Sequence, residues 1–130
     1  MSFPFYCITN RHLYDKPLLE TLEGILQQHP AGLILREKDL TAEEYRDLAR
    51  TVMDLCHQYN VPCWLHTFVD VARELQPEGL HLPLAVLRGL GENGRQGLPK
   101  NLGASCHSLE DIREAARLGA TCCTFSPVYP

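Results

Sequence analysis

Gly103-Ala104-Ser105-Cys106-His107-Ser108-Leu109-Glu110-Asp111 runs from small apolar residues straight into a helix start. The stretch reads as a strand end that delivers Ser105 and His107 onto a helix, with Ser108 as the cap and Asp111 at the third helical position. In α/β folds the ligand site gathers at the carboxyl ends of the strands, where helix N-termini point free amides and positive dipole ends. An imidazole at such a junction is placed for chemistry.

The same alternation repeats outward from this stretch. Gly119 stops the helix, and Ala120 to Phe125 makes the next strand. Before Asn101 to Cys106, itself a strand, come Gly79-Leu80-His81-Leu82 as a strand closed by Pro83, a helix over Leu84 to Leu90 and a plain loop over Gly91 to Gly97. Val61 to His66 is a strand followed by a short helix from Phe68 to Leu75. Thr41-Ala42-Glu43-Glu44 is a capping box opening the clearest amphipathic helix, whose apolar side carries Tyr45, Leu48, Ala49, Val52, Leu55, Cys56 and Tyr59 and which stops at Asn60. Gly32 to Arg36 is a buried strand, Pro17 to Gln28 a helix with Leu18, Leu19, Leu22, Ile25 and Leu26 on one face, and Phe3 to Ile8 the first strand.

Six successive βα-type units with short connections predict a parallel sheet, because parallel neighbours need right-handed helical crossovers. Two architectures fit: an open doubly wound sheet, or most of a (β/α)8 barrel, whose usual length is ~250 residues. A length of 130 residues favours the open sheet and a single α/β domain over residues 1–130.

With 45% hydrophobic and 22% charged residues and a net charge of -4, the composition is that of an ordinary globular protein. No Lys/Arg-rich run interleaves with aromatics, so nucleic acid is not an expected partner. The N-terminus shows no basic leader followed by a long apolar segment, which predicts a cytoplasmic chain with no membrane partner. Most of the six cysteines, at 7, 56, 63, 106, 122 and 123, fall in apparent strands beside large apolar residues and read as buried free thiols. No Cys-x-x-Cys occurs, so no metal site is expected from them.

Leu35-Arg36-Glu37-Lys38-Asp39 packs four charges directly after an apolar strand. Residues two apart on an extended segment face the same way, so Arg36 and Lys38 could hold one anion; alternatively the run is a solvated strand end with Glu37 and Asp39 as ion-pair partners. His66, His81 and His107 end three consecutive strands, but no carboxylate pattern supports a shared metal. His12, His29 and His57 read as surface residues.

Three blocks, in order, carry a resemblance: Leu35-Arg36-Glu37-Lys38-Asp39; Gly103-Ala104-Ser105-Cys106-His107 with Glu110; and Phe125-Ser126-Pro127-Val128-Tyr129-Pro130. Over essentially its whole length the chain resembles the thiamine phosphate synthase and thiazole tautomerase superfamily. The resemblance implies an incomplete (β/α)8 TIM barrel, of which this chain carries about six parallel strands alternating with helices. Its open sheet edges would favour a homo-oligomer. Synthases of the superfamily join a pyrimidine diphosphate to a thiazole phosphate with magnesium. Where their pattern has Asn-Asp after strand three this chain has His66-Thr67, and where it has His-Leu-Gly-Gln and a nearby acid after strand four it has His81-Leu82-Pro83-Leu84.

The tautomerase branch resembles the chain better, because it needs no metal or other cofactor. There the histidine of a Ser-x-His segment, matched by His107, shuttles a proton on a small phosphorylated thiazole carboxylate. Arg36 and Lys38 would then bind the anionic groups, Ser105 would supply a hydrogen bond, and His66 would complete the substrate-binding set. Two rivals stay open: a thiamine phosphate synthase homologue, and a non-catalytic truncated homologue that binds a phosphorylated metabolite or a partner chain.

Overall fold

Among the described residues, each successive strand lies beside the one before it. The computed structural model describes residues 4–126. Six strands lie in one parallel sheet in the order β1-β2-β3-β4-β5-β6: β1 Tyr6–Ile8, β2 Gly32–Leu35, β3 Cys63–His66, β4 Gly79–Pro83, β5 Asn101–Cys106 and β6 Cys122–Phe125. The connecting helices are α1 Leu18–Leu26, α2 Ala42–Gln58, α3 Val69–Leu75, α4 Leu84–Gly94 and α5 Leu109–Arg117. A doubly wound sheet reverses its strand order at a switch point. This sheet has no reversal, so the open-sheet expectation drawn from length is overturned. The chain is an incomplete (β/α)8 barrel, in which right-handed crossovers between consecutive strands bring every helix to one face.

That face is the core. Leu33, Leu35, Cys63, Leu65, Leu80, Leu82 and Ala104 alternate along the strands and are buried with Leu22 and Leu26 of α1, Ala49 and Val52 of α2, Val71 of α3 and Leu87 of α4. The intervening residues face the barrel interior, where close packing depends on glycines. Tyr6 pairs in register with Gly32, Trp64 with Gly79 and His81 with Gly103. A β-carbon at Gly32 would come within 2.9 Å of the Tyr6 ring, and one at Gly79 would strike the Trp64 ring. Each aromatic ring therefore covers a residue with no side chain on the next strand.

Local sequence explains the element ends. Thr41 accepts the Glu44 N–H while Glu44 accepts the Thr41 N–H, completing the expected capping box. Ser108 accepts the Asp111 N–H at 3.1 Å, as its spacing predicts. Several boundaries differ from expectation by trimming: α1 is Leu18–Leu26 rather than Pro17 to Gln28, α3 begins at Val69 rather than Phe68, β2 ends at Leu35, β3 begins at Cys63 and β6 at Cys122. The Gly91 to Gly97 loop instead contains a helical turn, joined to α4 across a break at Gly91, where φ is 65°. A short 3-10 turn at Arg11–Leu13 has no periodicity to announce it.

The thiol expectation needs one correction. Cys56, Cys63 and Cys106 are buried and all six cysteines are free, but Cys122 and Cys123 are exposed because β6 is an edge strand. Phe3, expected to start β1, and Pro127 to Pro130 of the third sequence block lie outside the described residues. No helix among the described residues is long and apolar enough to cross a membrane.

Candidate functional site at the carboxyl ends of the strands

The ends of β1 and β2 are locked together by a buried carboxylate. Glu37, with its side chain 1% exposed, accepts from the Thr9 hydroxyl at 2.6 Å, from the Arg11 guanidinium at 2.8 Å and from the Arg11 backbone N–H. Thr9 in turn accepts the Arg36 N–H at 2.9 Å. Arg11 reaches on to Asp39 with both terminal nitrogens, and the His12 ring meets the same carboxylate at 2.7 Å. Arg11 and His12 hold the Asp39 carboxyl well below its ordinary range. The acids of the charged run are thus ion-pair partners, as one reading expects, but their cation is Arg11 rather than Arg36 or Lys38. Glu37 is buried rather than solvated.

This arrangement leaves Arg36 and Lys38 without a carboxylate partner among the described residues. Both line a cleft of about 320 Å³ with Asn10, His12, Glu37 and Asp39. Arg36 also faces a cavity of about 340 Å³ lined by Ile8, Ile34, His66, His81, Ser105, Thr124 and Ser126. Three of the expected binding residues, Arg36, His66 and Ser105, therefore meet around one cavity, and Lys38 stands in the adjoining cleft.

The two imidazoles in that cavity are neutral. His66 and His81 pair in register and stack with centroids 5.0 Å apart and planes at 21°. Burial pushes His66 down to about 4, and His81, Arg36 and Lys38 add like-charge repulsion. Burial and Arg36 push His81 down as well. The backbone at His66 is fixed by Tyr45 of α2, whose hydroxyl accepts the His66 N–H at 3.0 Å and donates to the Leu35 carbonyl at 2.6 Å. One buried phenol so ties the ends of β2 and β3, with its ring stacked on Phe68.

His107 stands apart from that pair, exposed on the rim after β5. Its N–H donates to Asp111, and its Nδ1 lies 3.0 Å from the carbonyl of Ser126, a residue of the cavity lining. The Ser126 hydroxyl lies 3.4 Å from the same nitrogen; because a carbonyl only accepts, the shorter contact favours the proton on Nδ1 and leaves Nε2 without a partner among the described residues. The surface readings of His29 and His57 agree with their exposure, whereas His12, also exposed, is engaged with Asp39.

Magnesium, implied by the synthase resemblance, can be tested against these donors. A hard divalent cation takes oxygen ligands, chiefly carboxylates. The cavity lining contains none, and Glu37 and Asp39 are committed to Arg11. No group of three His, Cys, Asp or Glu side chains suited to a metal occurs among the described residues. The residues present do not fit magnesium.

Sequence reasoning passed over Arg11, Thr9 and Thr124. Arg11 carries no local signal, since its partners lie 26 and 28 residues away. Thr124 was legible in principle, two residues before Ser126, with which it lines the cavity.

Comparison with known proteins adds an independent finding. The family described as "Thiamine monophosphate synthase" matches residues 5–130. "Thiamine-phosphate synthase" of Desulfitobacterium hafniense is 32% identical over 136 residues, spanning 100% of this chain and 63% of that protein. The protein of the same name from Caldanaerobacter subterraneus is 30% identical, over 92% of this chain and 56% of its own length. A solved structure, "Thiamine phosphate pyrophosphorylase from Pyrococcus furiosus", superposes with a TM-score of 0.77 and 27% identity, covering 98% of this chain and 61% of that one. The YdjI aldolase of Escherichia coli, with a TM-score of 0.65 and 16% identity, shares the fold. The chain spans about three fifths of the length of the curated relatives it matches.

Proposed function

Because the chain belongs to the thiamine monophosphate synthase family, we propose that it is a thiazole tautomerase-like isomerase of thiamine biosynthesis, acting on a small phosphorylated thiazole carboxylate without a metal or other cofactor. The observation that carries this reading is Arg36, a guanidinium free of carboxylates, over a cavity whose other polar groups are neutral. Such a cavity favours an anionic substrate with an uncharged ring and gives a metal-bridged diphosphate nothing to hold its cation.

In the proposed reaction Arg36 and Lys38 bind the phosphate and carboxylate, and Ser105 and His66 contact the ring. His107 is the catalytic residue. Its Nε2 takes a proton from one ring carbon, exchanges it with solvent on the exposed ring, and delivers a proton to the exocyclic carbon, so the double bond shifts and the atoms balance. Such general acid–base transfer contributes about 10²–10⁴-fold.

The names of the relatives favour a second reading, a thiamine-phosphate synthase, which the same preparation distinguishes. The 130-residue chain is incubated with the exocyclic thiazole carboxylate phosphate and isomerisation is followed by NMR, with His107→Ala in parallel. Isomerisation lost by about 10²-fold or more in the variant supports the tautomerase. No isomerisation above background, together with magnesium-dependent joining of pyrimidine diphosphate to thiazole phosphate, replaces it by the synthase.

A further inference from the structure

His81 is 4% exposed and carries a polar atom that nothing in the site explains. Its Nδ1 is buried with no hydrogen-bond partner among the described residues, while its Nε2 lies 3.3 Å from the hydroxyl oxygen of Thr124. The contact spans a strand. His81 is on β4 and Thr124 on β6, and between them β5 presents Gly103, paired with His81 in register. A β-carbon at Gly103 would come within 2.6 Å of His81 Cδ2, so only glycine lets the ring lie across β5 and reach Thr124. On its other side the ring is stacked on His66, which fixes its plane.

A neutral imidazole has one N–H and two places for it. On Nδ1 that N–H would be a buried orphan donor; on Nε2 it donates to Thr124 and leaves a bare lone pair at Nδ1, the less costly omission. The Nε2–H form follows. Thr124, having accepted from His81, must direct its own O–H elsewhere, and Thr124 lines the cavity that holds Arg36 and Ser105. No other partner for that hydroxyl proton occurs among the described residues.

We propose that Thr124 is a specificity-determining residue whose hydroxyl donates to an uncharged acceptor, a ring nitrogen or carbonyl-type oxygen, on the bound heteroaromatic ring, and that His81 is the positioning residue that aims it across Gly103. Arg36 selects the charge of the ligand; Thr124 selects its ring. The identity of the ring rests on the isomerase reading, whereas the orientation of the hydroxyl does not.

Two measurements on the full 130-residue chain separate these claims. Long-range ¹H–¹⁵N spectra of the histidine rings, assigned with His81→Asn, read the tautomer without any ligand. His81 protonated at Nε2 is expected, and an Nδ1–H form overturns the inference. Binding of the thiazole carboxylate phosphate is then compared with that of inorganic phosphate. Thr124→Val should weaken the thiazole by about tenfold, the scale of one hydrogen bond with its desolvation, leave inorganic phosphate unchanged, and be rescued by Thr124→Ser. Equal thiazole binding by Thr124→Val overturns the inference. If the wild-type chain ignores the thiazole while His81 is Nε2–H, the isomerase reading falls together with the ring specificity of Thr124, and the orientation of its hydroxyl stands.

Discussion

Glu37 and the histidine pair set the electrostatics of the strand ends by opposite means. Glu37 takes three donors in a buried place, so removing it leaves the Thr9 hydroxyl and the Arg11 backbone N–H without that acceptor, while the Arg11 guanidinium keeps Asp39. Losing the hydrogen bonds to a buried carboxylate costs about 1.5–3 kcal/mol, and Glu37→Ala is expected to fall in that range by urea unfolding; a loss under 1 kcal/mol would contradict the geometry. His66 and His81 instead give up their charge. His66 falls from an ordinary 6.5 to about 4, so between these values the unfolded chain binds more protons than the folded one. Stability is full above pH 6.5 and drops as pH falls toward 4. Urea midpoints across this window should slope downward for the wild type and less steeply for His66→Gln, and identical slopes would exclude His66 as the cause. The shared placement of Arg36 and Lys38 at one cleft was legible because two-residue spacing on an extended segment survives folding. The burial of Glu37 was not, because it depends on a 3-10 turn 26 residues away.

Elements were read most faithfully where their signals are chemical rather than periodic. The Thr41–Glu44 capping box and the Ser108 cap follow from side chains that can satisfy free amides only at those spacings. Thr41→Ala should cost about 1 kcal/mol, read from thermal or urea unfolding, and an unchanged midpoint would contradict the box. Where a boundary moved, as at Val61 or Ala120, an apolar residue continued the strand pattern past the last ladder bond. The glycines of β2, β4 and β5 look like weak strand residues, yet they are the places under Tyr6, Trp64 and His81. Gly103→Ala is expected to displace the His81 ring and lower stability by about 1–3 kcal/mol, the range for overpacking. A neutral substitution there would remove the steric account of this strand and with it the reach of His81 to Thr124.

At the scale of the whole molecule, β1 and β6 each pair on one side only, and Tyr6, Ile8 and Phe125 are exposed on them. Unpaired parallel edges with apolar side chains are templates for further pairing. The 130-residue chain is therefore expected to self-associate in sedimentation runs as concentration rises, and a monomer throughout would contradict that expectation. Strand order was not legible from alternation, which a doubly wound sheet and a barrel share; the three sequence blocks carried the choice, and the sequential pairing of six strands decides it. The central claim is that this barrel arc presents a free cation and neutral hydrogen-bonding groups to an anionic ring and moves a proton without a metal. Its most direct test is solvent-deuterium incorporation into the thiazole carboxylate phosphate in the presence of excess chelator. The account predicts deuterium entering the product at a rate unchanged by the chelator and abolished by Arg36→Ala; turnover that stops with the chelator and returns with magnesium would contradict it.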